Sequence, residues 1–351
     1  MPTAYCNMTC SYCGQEHRKG SVQSDLVEKT IARVTSAFAA PSSKRVHVVW
    51  FGGEPLLGLR VLREMSSAFL WASQRYGKSY GASVVTNGSL LSDRTLQTLV
   101  EECHVRSIEV TLDGPAAIHD SRRTKRNGTG SFRKIVRLLS STVREAKWPS
   151  LRLGIRVNID RENEAHVSEL IADLACYGFG HPRVELHLAP VHSWGNDVSA
   201  VEMEAKMYSQ RECEWLRQAH DLGIDAVLLP TVPVQTTCLA TSTFGELIDP
   251  GGGVYSCSEH PLVPRDKDKG LIATLDSLGS TARRPPGQFD GWYGEVRSGS
   301  WPCAQCPFLP VCGGSCPKQW HEGGLPCPSF KFGWESRLDI AAERMGLTVD
   351  A

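Results

Sequence analysis

The chain lacks a charge balance of either sign: 38 Lys and Arg are matched by 38 Asp and Glu among 351 residues. Without a global field, nothing argues for nucleic acid or an anionic membrane as partner. Long apolar stretches are missing as well, since none approaches the roughly 18 residues that a membrane span needs. Met1-Pro2-Thr3 does not open a signal peptide. These absences predict a cytoplasmic protein and leave small polar or peptidic substrates open. Cysteine is what the chain has in excess. Thirteen are present, and in a compartment where disulfides rarely persist, most should bind metal or sit in the core.

The first group is Cys6-Asn7-Met8-Thr9-Cys10-Ser11-Tyr12-Cys13. Three thiols with gaps of three and two residues can close as thiolates on one small inorganic centre, leaving one iron of a four-iron cluster without a protein ligand. A zinc knot would want four ligands, and the fourth is locally absent. The spacing, with an aromatic just before the last Cys, resembles the signature of the radical S-adenosylmethionine (SAM) enzymes. The resemblance implies that SAM chelates the open iron and is cleaved reductively to a 5'-deoxyadenosyl radical.

Extended and helical segments then alternate, which argues for parallel βα units. After Ser24, the residues Val27, Ile31, Val34 and Phe38 fall on one face, so a helix runs to the break at Pro41. Strands are expected at 46–51, 82–85, 108–115, 151–159 and 184–191. The first of these ends in Gly52-Gly53-Glu54-Pro55, which resembles the family's motif for the SAM methionine amino group. Alternation along the others puts Ile108, Val110 and Leu112 opposite Glu109, Thr111 and Asp113. It likewise puts Leu151, Leu153, Ile155, Val157 and Ile159 opposite Arg152, Gly154, Arg156 and Asn158. An ordinary barrel fills its lumen with branched apolar side chains. One lined by Glu109, Thr111, Asp113, Arg156 and Asn158 suits a polar guest such as SAM. Asn87 follows the second strand in Thr86-Asn87-Gly88 and joins this set. On the last strand His187 should face the lumen, and family analogy makes Leu188 the candidate neighbour of the adenine.

The fold implied is α/β, a partial (β/α)6 barrel of the radical SAM type. Only five residues precede Cys6, so its first strand is expected to be truncated or missing, together with any leader-binding domain. The loop Thr111 to Pro115, with Ile118-His119-Asp120, Arg122 and Gly128 to Phe132, resembles that of sulfatase-maturing and peptide-maturing members. The basic run Arg122 to Arg126 is either a solvated loop or a contact for an acidic peptide.

The second half carries another set. Cys238 leads after thirteen residues to Gly252 and after four more to Cys257, while Cys303, Cys306, Cys312, Cys316 and Cys327 follow with gaps of two, five, three and ten. This series resembles the SPASM extension of peptide-modifying radical SAM enzymes. Family wiring would give Cys303, Cys306, Cys312 and Cys327 to the cluster farther from SAM, and Cys238, Cys257 and Cys316 to the nearer one. An eighth Cys is missing, so the nearer site keeps an open iron or is completed by Asp249, Glu259 or His260. On spacing alone a double zinc ribbon remains the alternative. Cys103, Cys176 and Cys213 read as packing residues.

The domains expected are a barrel at 1–200, a linking helix at 201–229, an auxiliary-cluster domain at 230–330 and a C-terminal helix at 331–351. The cofactors implied are SAM and three [4Fe-4S] clusters. The partners implied are a precursor peptide and an electron donor such as flavodoxin or ferredoxin. The expected reaction is hydrogen abstraction followed by oxidative crosslinking, carbon to carbon first and thioether next. Formylglycine formation in a sulfatase and a small-molecule reaction on a sugar are the alternatives. Glu109, Glu259, His187 and His192 are the candidate acids and bases.

Overall fold

The computed structural model describes residues 1–20, 22–278 and 283–347. A short strand β1 (Met8–Cys10) is followed by α1 (Ser24–Ala39), β2 (Arg45–Trp50), α2 (Leu59–Tyr76), β3 (Ser79–Thr86), α3 (Asp93–Gln97) and β4 (Val105–Thr111). Next come α4 (Ala116–Arg122), β5 (Arg123–Lys125), α5 (Phe132–Arg144), β6 (Arg152–Ile159), α6 (Val167–Cys176), β7 (Val184–Pro190) and α7 (Ala205–Asp221).

Five strands make one open, wholly parallel sheet in the order β2-β3-β4-β6-β7. It is a partial barrel with β2 and β7 as its edges. Period-two alternation decides its two faces. Ile108, Val110, Leu112, Leu153, Ile155, Val157 and Ile159 are at most 2% exposed and pack under the helices. Glu109, Thr111, Arg156 and Asn158 turn to the concave side. The helix expected after Ser24 spans Ser24–Ala39, with Val27 and Phe38 buried.

Two small pieces were not anticipated. Strand β1 pairs antiparallel with β5, Thr9 opposite Thr124. A three-stranded antiparallel sheet joins β8 (Leu247–Ile248), β9 (Gly253–Tyr255) and β10 (Leu271–Thr274). Strands of two to four residues have too few positions to show a period. The rest of the cysteine-rich half is loop and short helix around two small apolar clusters, one on Trp292, Val296 and Trp320 and one on Ala240, Cys257 and Phe289. The C-terminal helix Trp334–Arg344 returns to the barrel. Its Ile340 enters the main core, and buried Arg337 pairs with Glu212 of α7 and donates to Leu228 O at 2.9 Å.

Candidate active site

The three-Cys loop lies at the C-terminal end of the parallel sheet, where ligands of open α/β folds bind. Its own backbone bonds are too few to fix it, so neighbouring loops do. Asn87 at the end of β3 donates to Asn7 Oδ1 at 2.8 Å and to Cys6 Sγ at 3.8 Å, while Asn7 donates to Ser89 Oγ at 2.9 Å. Arg126 Nε reaches the carbonyl of Cys6 at 3.2 Å. Tyr12 donates to Asp113 Oδ2 at 2.5 Å and accepts from Asn158 Nδ2 at 3.0 Å. Arg123 completes this knot, bonding the Tyr12 hydroxyl and lying 3.4 Å from Asp113.

This arrangement revises the reading of several residues. Asp113 is fully buried, and its second oxygen accepts from Asn158 N at 3.0 Å. Its carboxylate holds the loop and does not line the cavity. The basic run is no solvated loop or peptide patch at its start. Arg122 is only 6% exposed and pairs with Asp160 at 2.7 Å, and Arg123 is 8% exposed. Glu54 is also fully buried. Its oxygens accept from Leu56 N at 3.0 Å, Thr86 Oγ1 at 2.7 Å and Asn87 N at 2.8 Å. Burial pushes its carboxyl up from the usual range. Glu54 therefore ties the turn after β2 to the end of β3, and what that motif offers a ligand is the backbone of Gly52 and Gly53 on the cavity wall. Gly52 holds φ at +142°, and a Cβ there would meet Thr3 O at 2.7 Å. Leu188 packs on the hydrophobic core, away from the cavity wall, because alternation gives the concave side to its neighbour.

The cavity itself has a volume of about 770 Å³. Cys6, Cys10 and Cys13 border it together with Asn87, Glu109, Thr111, Arg156 and Asn158. On the far side it reaches Pro190 at the end of β7, His192 and Trp194 beyond it, and Ser258 and Glu259 from the cysteine-rich half. One space thus joins the first thiols to the second half of the chain. Glu259 accepts from Ser258 Oγ at 3.2 Å, and burial raises its carboxyl above the ordinary range. Burial lowers His192, which stands edge-on to Trp194 at 6.0 Å. His187 sits deeper on the sheet, with Nδ1 3.0 Å from Glu109 Oε2 and Nε2 2.7 Å from Glu185 Oε2. Bonding to Glu109 is the main reason its pKa lies above the ordinary imidazole value.

The thiols fall into three groups. Cys6, Cys10 and Cys13 lie close enough to raise one another's pKa, after burial as the leading cause. Cys257 and Cys316 are coupled with Cys238 in the same way, Cys257 being pushed up to about 12. Cys303, Cys306, Cys312 and Cys327 surround a small cavity of about 40 Å³. Among the described residues no three His, Cys, Asp or Glu side chains converge on a point suited to one metal ion. A four-iron cube takes each thiolate on a different iron, so its ligands need no such point. Clustered, partly buried sulfurs with N–H donors nearby fit a positively charged group that takes them as thiolates. Of the three residues considered for completing the second group, Asp249 is engaged by the backbone of Gly251 and Gly253 at 2.9 and 2.8 Å. His260 packs against Phe289. Glu259 is the one whose charge is felt at both Cys257 and Cys316.

Sequence reasoning missed His17 and the Asn7–Ser89 contact. His17 Nε2 lies 3.7 Å from Cys13 Sγ and Nδ1 3.2 Å from Ala4 O. Proximity along the chain was the only available signal, and a lone His carries little. Cys103 is fully buried in the main core as expected, whereas Cys176 is exposed and Cys213 half-buried.

Comparison with known proteins agrees with this geometry. The profile of the Radical SAM superfamily matches residues 1–174. An uncharacterized protein of Synechocystis is 30% identical over 154 residues, 42% of this chain and 36% of that protein. The serine-type anaerobic sulfatase-maturating enzyme of Bacteroides thetaiotaomicron is 24% identical across 90% of this chain and 80% of its own length. The solved structure of native anSMEcpe with bound AdoMet and Kp18Cys peptide superposes with a TM-score of 0.73 at 16% identity, covering 98% of this chain and 96% of that one. Streptococcus suis SuiB bound to precursor peptide SuiA gives 0.59 at 14% identity, covering 92% and 71%. Among the described residues no helix is long and apolar enough to cross a membrane. With its three-Cys loop at the mouth of a partial parallel barrel, the chain carries a Radical SAM superfamily domain over residues 1–174 and is an iron-sulfur enzyme that works with a [4Fe-4S] cluster and SAM.

Proposed function

We propose that the protein is a peptide maturase that oxidises a side chain of a peptide held in the 770 Å³ cavity. The observation that carries this reading is the continuity of that cavity from Cys6, Cys10 and Cys13 to Glu259 in the cysteine-rich half. Its volume stands high in the range of about 300 to 1,000 Å³ usual for small-molecule sites. Room therefore remains beside a cofactor for part of a substrate. The relatives lend support, since anSMEcpe and SuiB are solved with bound peptides.

Cys6, Cys10 and Cys13 would hold the first cluster. SAM held there would supply radical chemistry able to remove a hydrogen atom from an unactivated carbon. Gly52, Gly53, Asn87, Thr111, Arg156 and Asn158 would hold SAM by its polar groups. The chain's further work is to keep the target carbon close and water away. Glu259, half-buried on the cavity wall, would take the proton that an oxidised substrate must lose. The groups Cys238–Cys257–Cys316 and Cys303–Cys306–Cys312–Cys327 would hold two further clusters and accept the electron. A ferredoxin or flavodoxin would supply the reductant.

Two outcomes compete for the product. A crosslink within a short precursor, carbon to carbon first and thioether next, follows from the auxiliary cysteine series. Formylglycine in a sulfatase is favoured by sulfatase-maturating relatives that match 90% and 91% of this chain, while Ser258 rather than a carboxylate directly after Cys257 speaks mildly against it. Co-expression with each short peptide encoded nearby, and with a sulfatase peptide, followed by mass measurement tests both. Loss of two hydrogens with no reaction toward hydroxylamine supports a crosslink. A hydroxylamine-reactive product supports formylglycine. Absence of any mass change with all peptides, while SAM is cleaved, would remove the peptide reading and leave a small molecule such as a sugar.

A further inference from the structure

The outer cysteine quartet has a charged companion that no role so far described uses. Lys331 lines the same 40 Å³ cavity as Cys303, Cys306, Cys312 and Cys327. Its Nζ lies 3.6 Å from Cys327 Sγ. The contact is built by the backbone. Cys327 and Lys331 are separated by one turn of 3-10 helix at Ser329–Lys331, closed by Lys331 N donating to Pro328 O at 3.0 Å. The Lys331 ammonium also stands 6.0 Å from the centre of the Phe332 ring, and Phe330 meets Phe308 edge-on at 6.1 Å beside the quartet.

We propose that Lys331 sets the reduction potential of the outer quartet, its ammonium donating to the Cys327 sulfur so that the reduced state is favoured there. This rests on reading the quartet as a cluster site. Adding one electron to such a site makes it more negative by one charge, with no bond made or broken and no proton moved. A cation within hydrogen-bond reach of a ligand sulfur stabilises that added charge, and hydrogen bonds to sulfur are among the levers that set cluster potentials. A quartet poised this way would draw the electron released from an oxidised substrate and pass it to an external iron-sulfur or flavin carrier.

The test needs neither SAM nor a substrate. The full chain, reconstituted anaerobically with iron and sulfide, is titrated with reductant and followed by electron paramagnetic resonance. In Lys331→Gln one signal should require a more negative potential, by about a tenfold change in its reduced-to-oxidised ratio, which is 59 mV for one electron. Lys331→Arg should restore it, and the other signals should stay in place. An unmoved signal in Lys331→Gln, or the same shift in the Arg and Gln variants, overturns the proposal. If Lys331→Gln does not load iron, Lys331→Met keeps the aliphatic packing and is read in its place. Failure of both to load assigns Lys331 a structural role and also overturns it. Should wild-type iron content be unchanged by Cys303→Ala with Cys306→Ala, the cluster reading itself fails, a result separable from those above.

Discussion

The Tyr12 hydroxyl donates to Asp113 Oδ2 at 2.5 Å across 101 residues of sequence, joining the loop of the first three thiols to the end of strand β4. The same carboxylate faces Arg123, which is 8% exposed. Asp113 is thus the post to which the metal-binding loop is fastened. Its removal leaves a buried guanidinium without its carboxylate, a change that costs about 3 to 5 kcal/mol in comparable sites. Asp113→Ala should lower the urea unfolding midpoint of the apoprotein and reduce iron uptake at the first site. Tyr12→Phe should lose the hydroxyl contacts alone and show a smaller drop. Unchanged stability in Asp113→Ala would contradict the account.

Glu54 supplies a second prediction. Its carboxylate is enclosed by two backbone N–H groups and one hydroxyl, so Glu54→Gln turns an amide toward a donor. The cost of leaving such a group unpaired is about 1 to 3 kcal/mol. SAM affinity, measured by equilibrium dialysis on the reconstituted protein, should fall no further than this structural loosening explains. A variant with normal stability and no SAM binding would show that the carboxylate touches the ligand.

His187 gives a pH dependence whose sign follows from its neighbours. Glu109 and Glu185 hold its folded-state pKa above the ordinary value near 6.5. A raised pKa contributes stability that is complete below the unfolded value and is lost as pH rises through the folded one. Glu109 is shifted the other way, chiefly by its bond to His187, so its contribution fades as pH falls through its own folded pKa. The stability gap between wild type and His187→Gln should therefore be largest near pH 6, about 1 kcal/mol for a partly exposed pair, and should shrink by pH 9. A gap that grows with pH would contradict the assignment.

Much of this was legible from residue order. Five parallel strands and their polar faces follow from alternation, because it is a local pattern repeated over several residues, whereas the grouping of the thiols came from the family resemblance. Glu54 and Asp113 were legible as important but not in their role. Both stand in loops at strand ends, where period-two alternation stops indicating which way a side chain points. Arg122 and Arg123 read as a surface run because composition carries no record of Asp160 or Tyr12, partners 38 and 111 residues away. The β1–β5 ribbon shares this cause, since three-residue strands show no period.

The cysteine-rich half should depend on metal for its fold. Its apolar clusters are small, and metal binding energy in such units is folding energy. Chelation under reducing conditions should expose 230–330 to protease while the barrel, with its large core, stays resistant. Equal resistance of both halves after iron removal would show that packing alone suffices.

The central claim is that Cys6, Cys10 and Cys13 together support radical chemistry on SAM. Its most direct test is 5'-deoxyadenosine released after anaerobic reconstitution, addition of SAM and reduction with dithionite. The account predicts release by the wild-type chain and loss of at least a hundredfold, about 2.7 kcal/mol in barrier terms, in Cys6→Ala, Cys10→Ala and Cys13→Ala alike. Release from any of these three variants at the wild-type rate would contradict it.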